Sequence, residues 1–233
     1  MIAPTPPIPP LNFDPRQVPV IGVDDQLPKV PARTLQAQAL VQRFASAHVW
    51  TPELLAEPRF SQRAFVHASV LVPLVMRDSG LTVLLTERTT HLSNHSGQVA
   101  FPGGKADPED ADAIDTALRE AEEEIGLERR FVQVLGTMPI YTTGSAFLVT
   151  PVVALVEAAL TVTPNPHEVA DVFEVPLSFL MDPANHQRHA VEWAGSRREW
   201  LSMPYTDGAT ERFIWGATAG MLRHLYDFLQ TPH

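Results

Sequence analysis

Apolar residues change their period several times along the chain. Residues 64–76 (AFVHASVLVPLVM) and 81–88 (LTVLLTER) are β-branched and apolar, with RDSG between them, which predicts a β-hairpin. Residues 131–141 (FVQVLGTMPIY) and 147–156 (FLVTPVVALV) read as two further strands. Residues 113–127 (AIDTALREAEEEIGL) have a helical period instead, with Ile114, Ala117, Leu118, Ala121 and Ile125 on one stripe. Upstream, Leu35, Leu40, Val41 and Phe44 fall near helical spacing within residues 34–48. The next segment, TPELLAEP, predicts a short helix with Thr51 as N-cap and Pro52 at its first position. Residues 167–182 (HEVADVFEVPLSFLMD) suggest a short helix, a strand and another turn of helix. QRHAVEWAG and RREWLSMPYTD read as a second hairpin turning at Gly195-Ser196. RFIWGATAGMLRHLYDFL, residues 212–229, reads as a closing helix with Ile214, Ala217, Met221, Leu222 and Leu225 on one face. Strands dominate over a few long helices, no internal repeat is visible, and the expectation is a mixed sheet packed by helices.

The first 33 residues break every period. They carry Pro4, Pro6, Pro7, Pro9, Pro10, Pro15, Pro19, Pro28 and Pro31, so they are expected as extended backbone, neither helix nor strand. Such an arm packs on its own domain or on a second subunit, which puts a homodimer among the partners to test. The expected division is an arm at 1–33, a helical region at 34–61 and the main domain at 62–233. A chain of 233 residues suits one large domain plus an extension.

Composition narrows the classes. The formal net charge of −10 opposes nucleic-acid backbones, so no nucleic-acid partner is expected. Anionic small molecules remain available to a site screened by metal ions. The absence of cysteine removes disulfides, thiolate nucleophiles and cysteine zinc sites together. The opening MIAPTPPIPPLNFDPRQVPV has no basic n-region and no unbroken apolar run, and no segment has the roughly 20 apolar residues a bilayer span needs. A soluble cytoplasmic protein without a membrane partner is expected.

The chemistry concentrates in FPGGKADPEDADAIDTALREAEEEIGL, residues 101–127. On a helix, Glu120, Glu123 and Glu124 share a face at spacings of three and four, and repel one another. They also lie near the helix C-terminus, where the macrodipole disfavours anions. A solvated acidic face is one explanation. A divalent cation is the other: Mg²⁺ or Mn²⁺ takes carboxylate oxygens and leaves positions for phosphate oxygens. Arg119 can orient a carboxylate, Gly103 and Gly104 allow close backbone approach, and Gly126 ends the helix.

This segment resembles the Nudix box, G-x5-E-x7-R-E-U-x-E-E-x-G-U with U aliphatic. Residues 119–127 match its second half. The first half carries a one-residue insertion, and Asp110 stands where the count from Gly104 reaches, leaving Asp110 and Glu109 without an assigned role. Residues 84–104 (LLTERTTHLSNHSGQVAFPGG) further resemble the signature of the coenzyme A diphosphatase branch, LLT-x-R-S-x3-R-x3-G-x3-FPGG. Leu84, Leu85, Thr86, Arg88, Gly97, Phe101, Pro102, Gly103 and Gly104 match, while Thr89 replaces Ser and Ser93 replaces the second Arg.

The resemblance implies an α/β/α Nudix sandwich with a mixed sheet. It implies a metal-dependent diphosphatase acting on a nucleoside diphosphate linked to another group, with coenzyme A or a derivative cut to 3',5'-ADP and 4'-phosphopantetheine. Glu120, Glu123 and Glu124 would hold Mg²⁺ or Mn²⁺, and Arg119 would orient a carboxylate. Gly103, Gly104 and Arg88 would face substrate, and Glu120 or Glu168 would be the general base. Alternatives are another nucleoside diphosphate such as ADP-ribose, and a Nudix-fold module that binds without cleaving. Several residues keep two readings: Glu168 as site carboxylate or helix N-terminal acid, His91 and His95 as substrate loop or surface loop, and Arg197 and Arg198 as substrate-facing or solvated at a turn. Trp193, Trp200 and Trp215 read as core rather than as an adenine platform. GGK lacks the remainder of a Walker loop.

Overall fold

The computed structural model describes residues 14–46, 50–53, 56–57, 59, 61–89, 97–193 and 196–231. Its larger sheet contains β2 (Val66–Arg77), β3 (Gly80–Arg88), β4 (Val99–Ala100), β5 (Gly103–Lys105), β6 (Val132–Thr137), β7 (Tyr141–Thr142), β8 (Phe147–Val156) and β9 (Val169–Pro176). The path runs β4-β3-β2-β8-β6, with β5 on β2, β7 on β8 and β9 on β3. β2 and β8 are parallel from Val66↔Phe147 to Val75↔Val156, and their neighbours pair antiparallel, so the sheet is mixed. The smaller, antiparallel sheet has the order β1-β10-β11-β12, from β1 (Val20–Val23), β10 (Gln187–Trp193), β11 (Ser196–Asp207) and β12 (Thr210–Trp215). The helices are α1 (Ala37–Ala45), α2 (Ala113–Ile125), α3 (Leu177–Leu180) and α4 (Gly216–Gln230).

Near-continuous apolar runs in β2 and β8 follow from burial on both faces. Leu71, Val75, Leu84, Val152, Ala154 and Val156 pack with Ala117, Ala121 and Ile125 of α2. Their alternate neighbours Val72, Leu74, Val83, Leu85, Val153 and Leu155 join a second core with α1, α3, α4 and the smaller sheet. The α/β/α arrangement expected from the sequence is what forms. No helix among the described residues is long and apolar enough to cross a membrane.

The structure corrects five local expectations. Arg212–Trp215 is strand, and the closing helix starts at Gly216, whose φ of 59° breaks the apolar run. Residues 51–53 form no helix: the Glu53 N–H donates to Asp227 and the Glu53 carboxylate serves Arg188 and Arg223, so tertiary charge overrides the Thr-Pro signal. Within the arm, Val20–Val23 is a strand, because β10 offers a free ladder edge at residues 187–189. His167-Glu168 lies in a turn, and its strand begins at Val169. Arg198 is buried at 5% exposure rather than solvated, while Arg197 pairs with Glu199 at 2.6 Å. Trp200 packs between the stacked His189 ring and Trp215. The Gly195 turn position and the Trp193 side chain lie outside what is described.

The arm's described part is clipped to the rest of the chain by charge. Asp24 is 2% exposed and accepts from Arg188 (2.6 and 2.9 Å) and Arg223 (2.8 Å). Arg223 also reaches Glu53, Asp227 and the His186 ring. Burial pushes His186 down to about 4, so its ring is neutral and Nδ1 can accept from Arg223 while Nε2–H donates to the Leu180 carbonyl.

Candidate functional site

α2 is set in place at both ends. The Asp112 side chain accepts from the N–H groups of Ile114 (2.8 Å) and Asp115 (2.9 Å) and caps the first turn. Gly126 closes the last turn at φ 67°, with Gly126 N–H to Glu122 O and Leu127 N–H to Ala121 O, so the helix stops at Ile125. Two further C-terminal carbonyls accept from the following loop: Thr163 N–H donates to Ile125 O and Asn165 N–H to Glu124 O, each at 2.8 Å. That loop runs into Glu168 and is therefore anchored on the glutamate helix itself.

The glutamates differ sharply in environment. The Glu124 side chain is 4% exposed, accepts from the Gly103 N–H at 3.1 Å and faces Arg88 Nη1 at 3.5 Å. Burial pushes its carboxyl up to about 7, against the pull of that N–H and of Arg88. Glu120 is 16% exposed at the side chain and is pushed up by burial, with Arg119 opposing and Glu123 and Glu168 adding repulsion. Repulsion from Glu168 reaches Glu124 as well, which draws Glu168 into the same field. Glu123 lies at the open edge, 60% exposed, joined through Arg119 at 3.2 Å. Glu122 points away toward Arg129.

Arg119 is the hub. It donates from Nε and Nη2 to both oxygens of Asp110 at 2.8 and 3.0 Å, from Nη1 to Glu120 at 3.1 Å, and from Nη2 to the Lys105 carbonyl at 3.0 Å. Asp110, left without a role by the spacing, is thus its principal partner, and this bidentate pair holds the Asp110 carboxyl well below the usual range. A turn absorbs the inserted residue: Asp110 N–H donates to Asp107 O, and Asp107 N–H returns to Asp110 Oδ2. Glu109 stays exposed. The structure therefore gathers Arg88, Gly103, Gly104, Asp110, Arg119, Glu120, Glu124 and Glu168 along α2, from the Asp110 contact at its first turn to Glu124 at its last, with Glu123 at the rim. His91, Ser93 and His95 lie outside the described residues. The sequence signal for Asp110 was present, an acid shortly upstream of Arg119; the sequence carries no signal for the Gly103 N–H or the Thr163 and Asn165 anchors.

The NUDIX domain profile matches residues 66–194. The chain belongs to the Nudix family. Proteins named uncharacterized Nudix hydrolase NudL are similar to it. The one from Yersinia enterocolitica is 44% identical over 160 residues, 68% of this chain and 79% of that protein. One from Yersinia pestis is 43% identical over 159 residues, 68% and 77% of the two chains. The solved C. elegans Ap4A hydrolase binary complex overlaps 51% of this chain and 85% of its own at 22% identity, with a TM-score of 0.42. Family membership makes this chain an enzyme, a Nudix hydrolase of pyrophosphate bonds.

Nudix hydrolases use divalent metal ions, and the residues here suit one. The donors are all carboxylate oxygens, which hard cations prefer. Glu124 is a buried acid whose only side-chain cation among the described residues stands at 3.5 Å. Among the described residues no three His, Asp or Glu side chains converge as a ready-made cluster; Arg119 lies between Glu120 and Glu123 and takes one oxygen of each.

The two glycines separate fold from site. At Gly103 a Cβ would run into the Ser69 carbonyl and stand 2.6 Å from Val70 Cα, at a φ of 159°. At Gly104 a Cβ would instead strike the Glu120 carboxylate, the movable end of a side chain. Gly103→Ala should therefore lower the melting temperature, whereas Gly104→Ala should leave it near wild type and cost activity by displacing Glu120. Thermal melting beside a hydrolysis assay checks both; equal melting temperatures for the two variants would refute the distinction.

Proposed function

We propose that this Nudix hydrolase cleaves coenzyme A or a derivative of it to 3',5'-ADP and 4'-phosphopantetheine. The observation that carries the reading is Arg88, the cation retained from the coenzyme A diphosphatase signature, which lies beside Glu124 in the carboxylate site. In the reaction water adds to one phosphorus, the P–O–P bridge breaks and a proton is released. Glu120, Glu123 and Glu124 would hold Mg²⁺ or Mn²⁺, which screens the diphosphate charge and acidifies the attacking water. Arg119 positions Glu120 and Glu123 while Asp110 fixes its guanidinium. Arg88 offers charge to a substrate phosphate. The Gly103 N–H holds one oxygen of Glu124 and so orients that carboxylate. Glu120 and Glu168 are the candidate bases: Glu120 by its raised affinity for a proton, Glu168 by its anchored turn beside the cluster. With little covalent chemistry required, this positioning carries the catalysis.

Coenzyme A bears a 3'-phosphate, and Ser93 supplies no charge where the signature has Arg. Discrimination between coenzyme A and its 3'-dephospho form should therefore be weak, and Ser93→Arg should strengthen it. The test compares kcat/KM for coenzyme A, dephospho-coenzyme A and ADP-ribose with Mg²⁺. Strong wild-type preference for coenzyme A, unaltered by Ser93→Arg, would remove Ser93 from the specificity argument. Cleavage of ADP-ribose alone would overturn the coenzyme A assignment and leave the family activity.

A further inference from the structure

Arg212 stands on β12 in the smaller sheet, yet its guanidinium lies against the larger one. It is 8% exposed, donates to Glu87 Oε2 at 2.9 Å and to Asp171 Oδ2, and lies 4.3 Å over the Phe173 ring. Asp207 comes within 3.8 Å. Glu87 and Asp171 are register partners, directly opposite each other in the β3–β9 ladder. Like charges so placed destabilise a ladder; here one cation bridges them.

That ladder leads into the site. Its register shifts at the next step, between Glu87 and Arg88. Beyond the shift Arg88 emerges on the sheet's α2 face and reaches Glu124. The same end carries the Glu168 turn: Thr89 N–H donates to Glu168 O at 3.0 Å and Thr89 Oγ1 to His167 O at 3.3 Å. Glu87, Asp171 and Phe173 face the opposite side, toward the smaller sheet.

We propose that Arg212 is a positioning residue: by bridging Glu87 and Asp171 from behind the sheet, it aims Arg88 and Glu168 into the carboxylate site. The proposal rests on the hydrolase reading of that site. Without the bridge the two acids push the strand ends apart, and a small displacement of positioned groups is costly in rate.

The test uses full-length Arg212→Met, which keeps a stem over Phe173, and the triple variant Glu87→Gln/Asp171→Asn/Arg212→Met, which also removes the repulsion. Two readouts are taken: kcat and KM for the nucleoside diphosphate substrate, and amide hydrogen exchange at Thr89. Arg212→Met is expected to lower kcat/KM by about 10- to 100-fold and to speed exchange at Thr89, and the triple variant to recover most of both. Unchanged turnover and exchange in Arg212→Met would overturn the proposal, as would losses that the triple variant fails to recover. Where Arg212→Met does not fold, Arg212→Lys must show the same two changes in lesser degree. If the wild type cleaves no nucleoside diphosphate, the hydrolase reading falls, while exchange at Thr89 still decides what Arg212 holds.

Discussion

Glu124→Gln is expected to lower hydrolysis more than about 100-fold while making the metal-stripped protein more stable above pH 7. The Glu124 residue is buried, and burial raises its carboxyl from 4.5 to about 7. A group raised on folding contributes stability that is fully present below its unfolded value and lost as pH rises through its folded value. Between pH 4.5 and 7 the wild type should therefore lose on the order of 3 kcal/mol from this one group. Gln cannot ionise, and its carbonyl oxygen can still accept from Gly103. Urea unfolding in chelator at pH 5 and pH 8, wild type against variant, measures the difference. Equal pH slopes in the two proteins, or a variant that keeps its turnover, would show that Glu124 is not the strained acid of this site.

That strain is what made α2 readable. Ala117, Ala121 and Ile125 recur at helical spacing and are buried; the acids beside them repel one another near the negative end of the helix dipole, so their placement pointed to chemistry. β2 and β8 were readable because burial on both faces demands unbroken apolar runs. The misread elements depend on distant partners. Val20–Val23 is too short to announce a strand and takes its ladder from residues 187–189. Phe213, Ile214 and Trp215 run into an apolar helix with only Gly216 between, and periodicity cannot place that boundary. The role of Asp110 was hidden by the inserted residue, which a turn at Asp107 absorbs. Arg212 reaches acids 125 and 41 positions away in sequence, a bridge no local pattern encodes.

Arg223→Met should be the most damaging substitution outside the site, costing about 3–5 kcal/mol. Arg223 and Asp24 side chains are each 3% exposed and meet at 2.8 Å. Burial alone would push the Asp24 carboxyl up, but hydrogen bonds and charge from Arg188 and Arg223 hold it below the usual range. Loss of Arg223 leaves a buried carboxylate with half its cations and withdraws a donor from His186 and Asp227. The same contact helps fasten the arm, together with the β1–β10 ladder, the Arg188–Asp24 pair, Lys29 on Asp182, and backbone contacts such as Val30 N–H to Met181 O. Two measurements follow. Urea denaturation should show the loss, and Asp24→Asn/Arg223→Met should regain part of it, because neutralising a buried carboxylate that has lost one of its two cations relieves part of the penalty. Limited trypsin digestion should cut the arm at Lys29 and Arg33 faster in Arg223→Met than in wild type. A loss below about 1 kcal/mol, the range of surface pairs, or a double variant no more stable than Arg223→Met, would mean that the arm is held by its backbone contacts and not by this buried charge.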